Sequence, residues 1–156
     1  MSALRLTSPS FTHEGEIPAK HTCAGADESP ALSWSGAPEG TKSLALIIDD
    51  PDAPDPKAPR MTWVHWVLYD IPPTATSLPE DLGASSIGAH EGLNDWRTTG
   101  YRGPCPPIGR HRYFHKLYAL DAVLHDLGRA DKAALERAMD GHILAQATLI
   151  GTFAKK

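Results

Sequence analysis

Proline and glycine, 14 and 13 of the 156 residues, are spread along the chain rather than gathered in one linker. Proline fixes φ and removes a backbone donor, and glycine opens the left-handed region. Distributed this way, they are the punctuation of a β-rich fold with many turns. The runs between them read as strands. Leu4 to Ser8 is a short one, and Ser33-Trp34-Ser35 lies between Pro30 and Pro38. Ser43 to Asp49 is a compact apolar run that meets Asp50-Pro51, where the residue before proline is turned away from helix. Met61 to Ile71, rich in Trp, Val and Tyr, stops at Pro72-Pro73. Tyr113 to Ala122 is a third strong strand. Residues 73–110 form a long irregular stretch of a kind usually functional or ordered by packing, and Trp96 and Tyr101 within it favour an ordered loop over a linker.

One helix is expected near the end of the chain. Asp131 can serve as N-cap ahead of Ala133, Ala134, Leu135, Glu136 and Ala138. Leu135, Met139, His142/Ile143, Gln146, Leu149/Ile150 and Phe153 then recur at helical spacing, with Gly141 as a break between two helical pieces. No internal repeat or boundary divides residues 1–156, so a single domain is expected.

The composition narrows the function classes. A hydrophobic fraction of 41% and a charged fraction of 22% argue against disorder. A net charge of -4 gives no bulk attraction to nucleic acid, although Arg97, Arg102, Arg110 and Arg112 cluster in sequence. No apolar run is long enough to span a bilayer, and Met1 to Phe11 lacks the apolar core of a secretory leader. A cytoplasmic location is the resulting expectation. In that reducing setting the two cysteines, Cys23 and Cys105, are expected to be free thiols.

Two Pro-flanked segments concentrate the chemistry. The first is Asp50-Pro51-Asp52-Ala53-Pro54, followed by Trp63-Val64-His65-Trp66. The second is Gly103-Pro104-Cys105-Pro106-Pro107, followed by Gly109-Arg110-His111-Arg112-Tyr113. Alternate strand residues share a face, which places Trp63, His65 and Val67 together, and His111, Tyr113, His115 and Leu117 together. If these strands are neighbours, Asp50, His65, His111 and Tyr113 converge at one end of a sheet. His13, His21, His90 and His125 stand in polar contexts that fit solvated surface, and His142 fits helix packing.

Three chemistries compete for that constellation. His111 and His115 lie about 13 Å apart along a strand, too far to share a metal ion. An Asp50/His65/His111 metal triad is geometrically conceivable. Hydrolysis would need an oriented nucleophile, and no Gly-x-Ser-x-Gly elbow is present. Neither a P-loop nor a dinucleotide fingerprint occurs, so no cofactor is expected. Anion binding demands least: imidazole, a tyrosine hydroxyl and backbone N–H groups can all donate to phosphate oxygens.

These two signatures, with Ser29-Pro30-Ala31-Leu32-Ser33-Trp34 and Gly141-His142-Ile143-Leu144-Ala145, resemble the phosphatidylethanolamine-binding proteins. That family is also called Raf kinase inhibitor-like, and the resemblance is to its bacterial branch of the YbhB/YbcL type. It implies a mostly β fold: a β-sandwich of a large antiparallel sheet on a smaller one, with a short C-terminal helical segment. It also implies a non-enzymatic binding protein whose small anion pocket takes phosphate-type or phosphorylethanolamine-like headgroups. Asp50, Trp63, His65, His111 and Tyr113 would line the pocket, with Asp52, Pro54, Gly103 and Pro106 nearby. His65 and His111 would donate to the anion, Tyr113 would add a hydroxyl, and Asp50 would orient a histidine or receive a cation. Trp63 would form an apolar wall. The alternative expectation is an interaction module that inhibits a kinase or protease. Resemblance to bacterial members also implies a homodimer. Val64 stands where eukaryotic members carry a second histidine.

Overall fold

The computed structural model describes residues 3–154. Nine strands and one α-helix follow in chain order: β1 (Arg5–Thr7), β2 (Gly15–Glu16), β3 (Leu32–Ser35), β4 (Ser43–Ala53), β5 (Met61–Ile71), β6 (Ser77–Leu78), β7 (His90–Glu91), β8 (Arg110–Leu120), α1 (Lys132–Met139) and β9 (Ile143–Ala154). They build a three-stranded sheet, β1-β3-β6, and a six-stranded sheet, β2-β9-β8-β4-β5-β7. All pairings are antiparallel except β2 with β9. The expected mostly β sandwich, a large sheet on a small one, is the architecture observed.

Burial on both faces explains why β4 reads as a continuous apolar run rather than an alternation. Leu44, Leu46 and Ile48 face the small sheet and pack with Leu6, Leu32, Trp34 and Leu78. Ala45 and Ile47 face the other way, into a second core with Tyr69, Tyr118, Leu135 and Met139. Leu135 and Met139 project from α1, which therefore caps that face. Asp131 is its N-cap as expected, its carboxylate accepting from the Ala134 amide. Asp49, buried beneath α1, accepts from both Lys116 of β8 and Lys132 of α1, tying helix to sheet.

The sequence pattern misleads most after Gly141. No second helical piece exists there. The chain reverses at Asp140 and Gly141 and returns as β9, paired with β8 from Arg110↔Ala154 to Leu120↔Ile143. A four-residue recurrence is shared by a helix and a strand, because four is also a multiple of two. The β-branched Thr148, Ile150 and Thr152 side with the strand. Ala145, Leu149, Gly151 and Phe153 are the buried set, at period two. Gly151 is required there: a Cβ would fall 2.5 Å from Ile17. His142 accordingly does not pack inside a helix but lies exposed, bonded to Asp121.

Two further expectations change. His21 is buried rather than solvated, its Nδ1 donating to the Glu28 carbonyl. Cys23 and Cys105 are not free thiols but joined in a disulfide across 82 residues. Sequence spacing could not show that the turn at 19–25 folds onto the 101–107 segment. That docking is visible in the backbone bond from Cys23 N to the Pro104 carbonyl, and in the Tyr101 hydroxyl donating to the His21 carbonyl. Gly103 packs directly on His21, where a Cβ would meet the carbonyl oxygen at 2.0 Å. No helix among the described residues is long and apolar enough to cross a membrane.

Candidate ligand pocket

β4, β5 and β8 are neighbours, and their ends carry the two signatures to one place. The pairing of β4 with β5 slips between Ile48 and Asp49 and again after Asp50. The first slip is a bulge beside His65, and it re-aims side chains. Val64 and Val67 both face α1, so Val67 does not share a face with Trp63 and His65 as a regular strand would have it. The second slip lets β4 continue through Pro51, which a regular central strand would not tolerate. At its end the Ala53–Pro54 peptide is cis.

Between these strand ends lies a cavity of about 320 Å³. Asp50, Pro54, Trp63, His65, Pro106, His111 and Tyr113 line it, as do Ala53, Met61, Trp96, Cys105 and Pro107. Asp52 and Gly103 do not. Gly103 instead donates its amide to Asp27 behind the wall. Asp52 grips Arg112 from three sides, accepting from its amide, Nε and guanidinium NH2. Those bonds hold the Asp52 carboxyl below its ordinary range.

Trp96 gives no sign of a pocket role in a sequence without strand or helix pattern around it. The loop that carries it is built on buried Asn94, whose Oδ1 accepts from the Trp96 amide, the Thr98 amide and the Thr98 hydroxyl. Asn94 Nδ2 donates to the Gly100 carbonyl. Asp95 then clamps β5, its carboxylate accepting from the Val64 amide at 2.8 Å. Trp96 meets Trp63 and His65 edge-on at 5.4 and 5.1 Å, and the Arg102 guanidinium lies over its ring.

The polar groups divide sharply by how much hydrogen bonding is left to them. His111 has none to spare: Nδ1 is 2.6 Å from Asp50 Oδ2 and Nε2 is 2.8 Å from the Ile108 carbonyl. Both ring nitrogens are thus taken up by groups of the protein itself. Asp50 also accepts from the Asp52 amide. Burial raises the Asp50 carboxyl above its ordinary range, against the opposing pull of the His111 hydrogen bond. His65 donates Nδ1–H to the Arg102 carbonyl at 2.6 Å. Its burial pushes the imidazole down to about 4, so the ring is neutral at pH 7. Tyr113 is 1% exposed, and its hydroxyl has no hydrogen-bond partner. Burial and the nearby Asp50 raise it well above the usual phenol range, so it keeps its proton.

Asp50, His65 and His111 therefore do not gather as a metal triad, because His111 points both nitrogens at protein acceptors. Among the described residues no group of three or more metal-ligating side chains comes together.

Known proteins with this arrangement are readily found. The family model for phosphatidylethanolamine-binding protein matches residues 7–154. A UPF0098 protein of Methanothermobacter thermautotrophicus is 48% identical, over 97% of this chain and 99% of the relative. Among solved structures, a putative phosphatidylethanolamine-binding protein homolog from Chlamydia trachomatis is 43% identical, with TM-score 0.92 and full coverage of both chains. E. coli YbcL is 32% identical, with TM-score 0.88, covering 99% of this chain and 100% of that one. With the family model spanning nearly all of its length and both pocket signatures in register on the strands described above, the chain belongs to the phosphatidylethanolamine-binding protein family.

Proposed function

We propose that the pocket binds a small ligand through a phosphate-type oxyanion and performs no chemistry on it. The observation that carries this reading is Tyr113, a residue of the cavity lining whose buried hydroxyl is a donor without a partner. Buried polar groups are rarely left unpaired, and those that are often await a ligand. The apolar walls supplied by Trp63, Trp96 and Pro106 would exclude water around it. A non-enzymatic role fits the lining: it includes no serine or threonine, and its one cysteine is held in the disulfide. His111 acts here as a strut for Asp50 and the 108–111 turn, in place of the donor role that its signature position implies. As for location, a disulfide persists in oxidising surroundings and is uncommon in a reducing cytoplasm. The Cys23–Cys105 bond thus weighs against the cytoplasmic expectation.

A histidine-resolved NMR titration with inorganic phosphate and O-phosphorylethanolamine tests the reading. Saturable shifts at His65, absent at His13 and His125 and weakened in Tyr113→Phe, are expected. Unchanged His65 resonances at millimolar ligand would refute it.

A further inference from the structure

The protons already present in the pocket determine which oxyanion it can accept. His65 Nδ1 faces a backbone carbonyl, which can only accept, so the ring proton sits on Nδ1. Nε2, on the opposite edge of the ring, then carries a bare lone pair and has no partner among the described residues. His65 is wedged between the rings of Trp96 and Tyr113, with the charges of His111 and His115 on β8 and of Asp49, beneath α1, acting on it. Two guanidiniums close to these segments are engaged elsewhere: Arg102 lies over Trp96, and Arg112 is held by Asp52. Both His111 nitrogens are already engaged within the protein, and Asp50, bonded to His111 and to the Asp52 amide, presents acceptor oxygens.

The side-chain donors of this lining, the Tyr113 hydroxyl and the indole N–H groups of Trp63 and Trp96, thus stand beside an imidazole lone pair and a carboxylate. A fully ionised oxyanion would set its oxygens against both of those acceptors. An oxyanion with one protonated oxygen would accept from Tyr113 and donate its own P–OH to His65 Nε2. Resting on the anion-pocket reading above, we propose that the site selects oxyanions that bring their own proton. Monoprotonated phosphate and phosphate monoesters would be taken in preference to proton-free sulfate and phosphodiesters. The discrimination needs no cation, because an unpaired acceptor pressed against an anion is itself the penalty.

Isothermal titration of the whole protein at pH 5.5, where a phosphate monoester is mostly monoprotonated, with inorganic phosphate, sulfate, methyl phosphate and dimethyl phosphate decides the matter. Phosphate and methyl phosphate are expected to bind at least about tenfold more tightly than sulfate or dimethyl phosphate, a difference of about 1.4 kcal/mol. Methyl phosphate affinity should fall as pH rises past the second ionisation of a phosphate monoester, near about 6. His65→Gln, whose amide can present an N–H, is expected to narrow the preference over sulfate. Sulfate binding as well as phosphate at pH 5.5, or a preference untouched by His65→Gln, overturns the proton requirement and leaves the anion pocket standing. Binding of none of the four probes overturns the pocket reading and this inference with it.

Discussion

His111 and Asp50, 61 positions apart in sequence, meet at 2.6 Å with both side chains almost wholly buried. Their contact joins β8 to the far end of β4, where the strand pairing has already slipped. Losing one member strands the other: a lone buried charge or donor costs far more than a missing pair. Asp50→Leu is expected to destabilise the protein by about 3–5 kcal/mol, and Asp50→Leu with His111→Leu by clearly less than the sum of the two singles. Urea unfolding of the four proteins of that cycle measures it.

Tyr113→Phe should separate binding from stability. The hydroxyl has no partner inside the protein, so removing it relieves a buried unsatisfied group. Thermal unfolding is expected to show the variant at least as stable as the parent, by up to about 1 kcal/mol, while its phosphate affinity drops. A loss of stability would mean that the hydroxyl is satisfied within the fold.

Two buried histidines set the acid limb of stability. His65 and His115 are both pushed by burial from 6.5 to about 4. Between those values the unfolded chain binds more protons than the folded one, so stability rises with pH across the window. It is fully present above about 6.5 and is lost as pH falls toward about 4, by up to about 3 kcal/mol for each ring. Urea midpoints at pH 7.5 and 4.5 should show this, and His115→Gln should flatten the slope.

The disulfide closes a loop of 82 residues, and crosslinks of that span stabilise by about 4 kcal/mol in the chain-entropy account. Thermal unfolding with and without a dithiol reductant should differ accordingly. The Cys23→Ala, Cys105→Ala double variant should match the reduced protein and ignore the reductant.

Asn94 is expected to be the most sensitive residue of the 94–102 loop. Asn94→Ala removes one donor and an oxygen that three groups share, a loss of about 2–4 kcal/mol at roughly 1 kcal/mol per bond. Hydrogen exchange should quicken at Trp96 and Thr98 before it does in β5.

Much of this molecule is legible in its residues because the local signals agree. Met61 to Ile71 is bounded by its own composition and by Pro72, and it is β5 to the residue. Asp50, Trp63, His65, His111 and Tyr113 meet because their strands are neighbours in the large sheet. What sequence hides is what only packing decides. The strand β9 shares its spacing with a helix until β8 is there to pair with it. Val67 changes face through a bulge that no residue announces. Trp96 reaches the pocket by a loop whose shape resides in one buried asparagine. His111 carries a pocket residue's position, and yet its nitrogens turn inward, which depends on where the Ile108 carbonyl lies.

The segment Cys105-Pro106-Pro107 lines the candidate ligand pocket and also a second cavity of about 460 Å³ lined by Cys23, Ala24 and Phe153. It is a party wall shared by both, stiffened by two prolines and bolted at one end by a covalent bond. A substitution in those three positions reshapes both chambers at once. Divergence among descendants of this chain is therefore constrained in an unequal way. The chambers can drift independently through Trp63, Met61 or Ala24, but at the wall a change that suits one must be acceptable to the other.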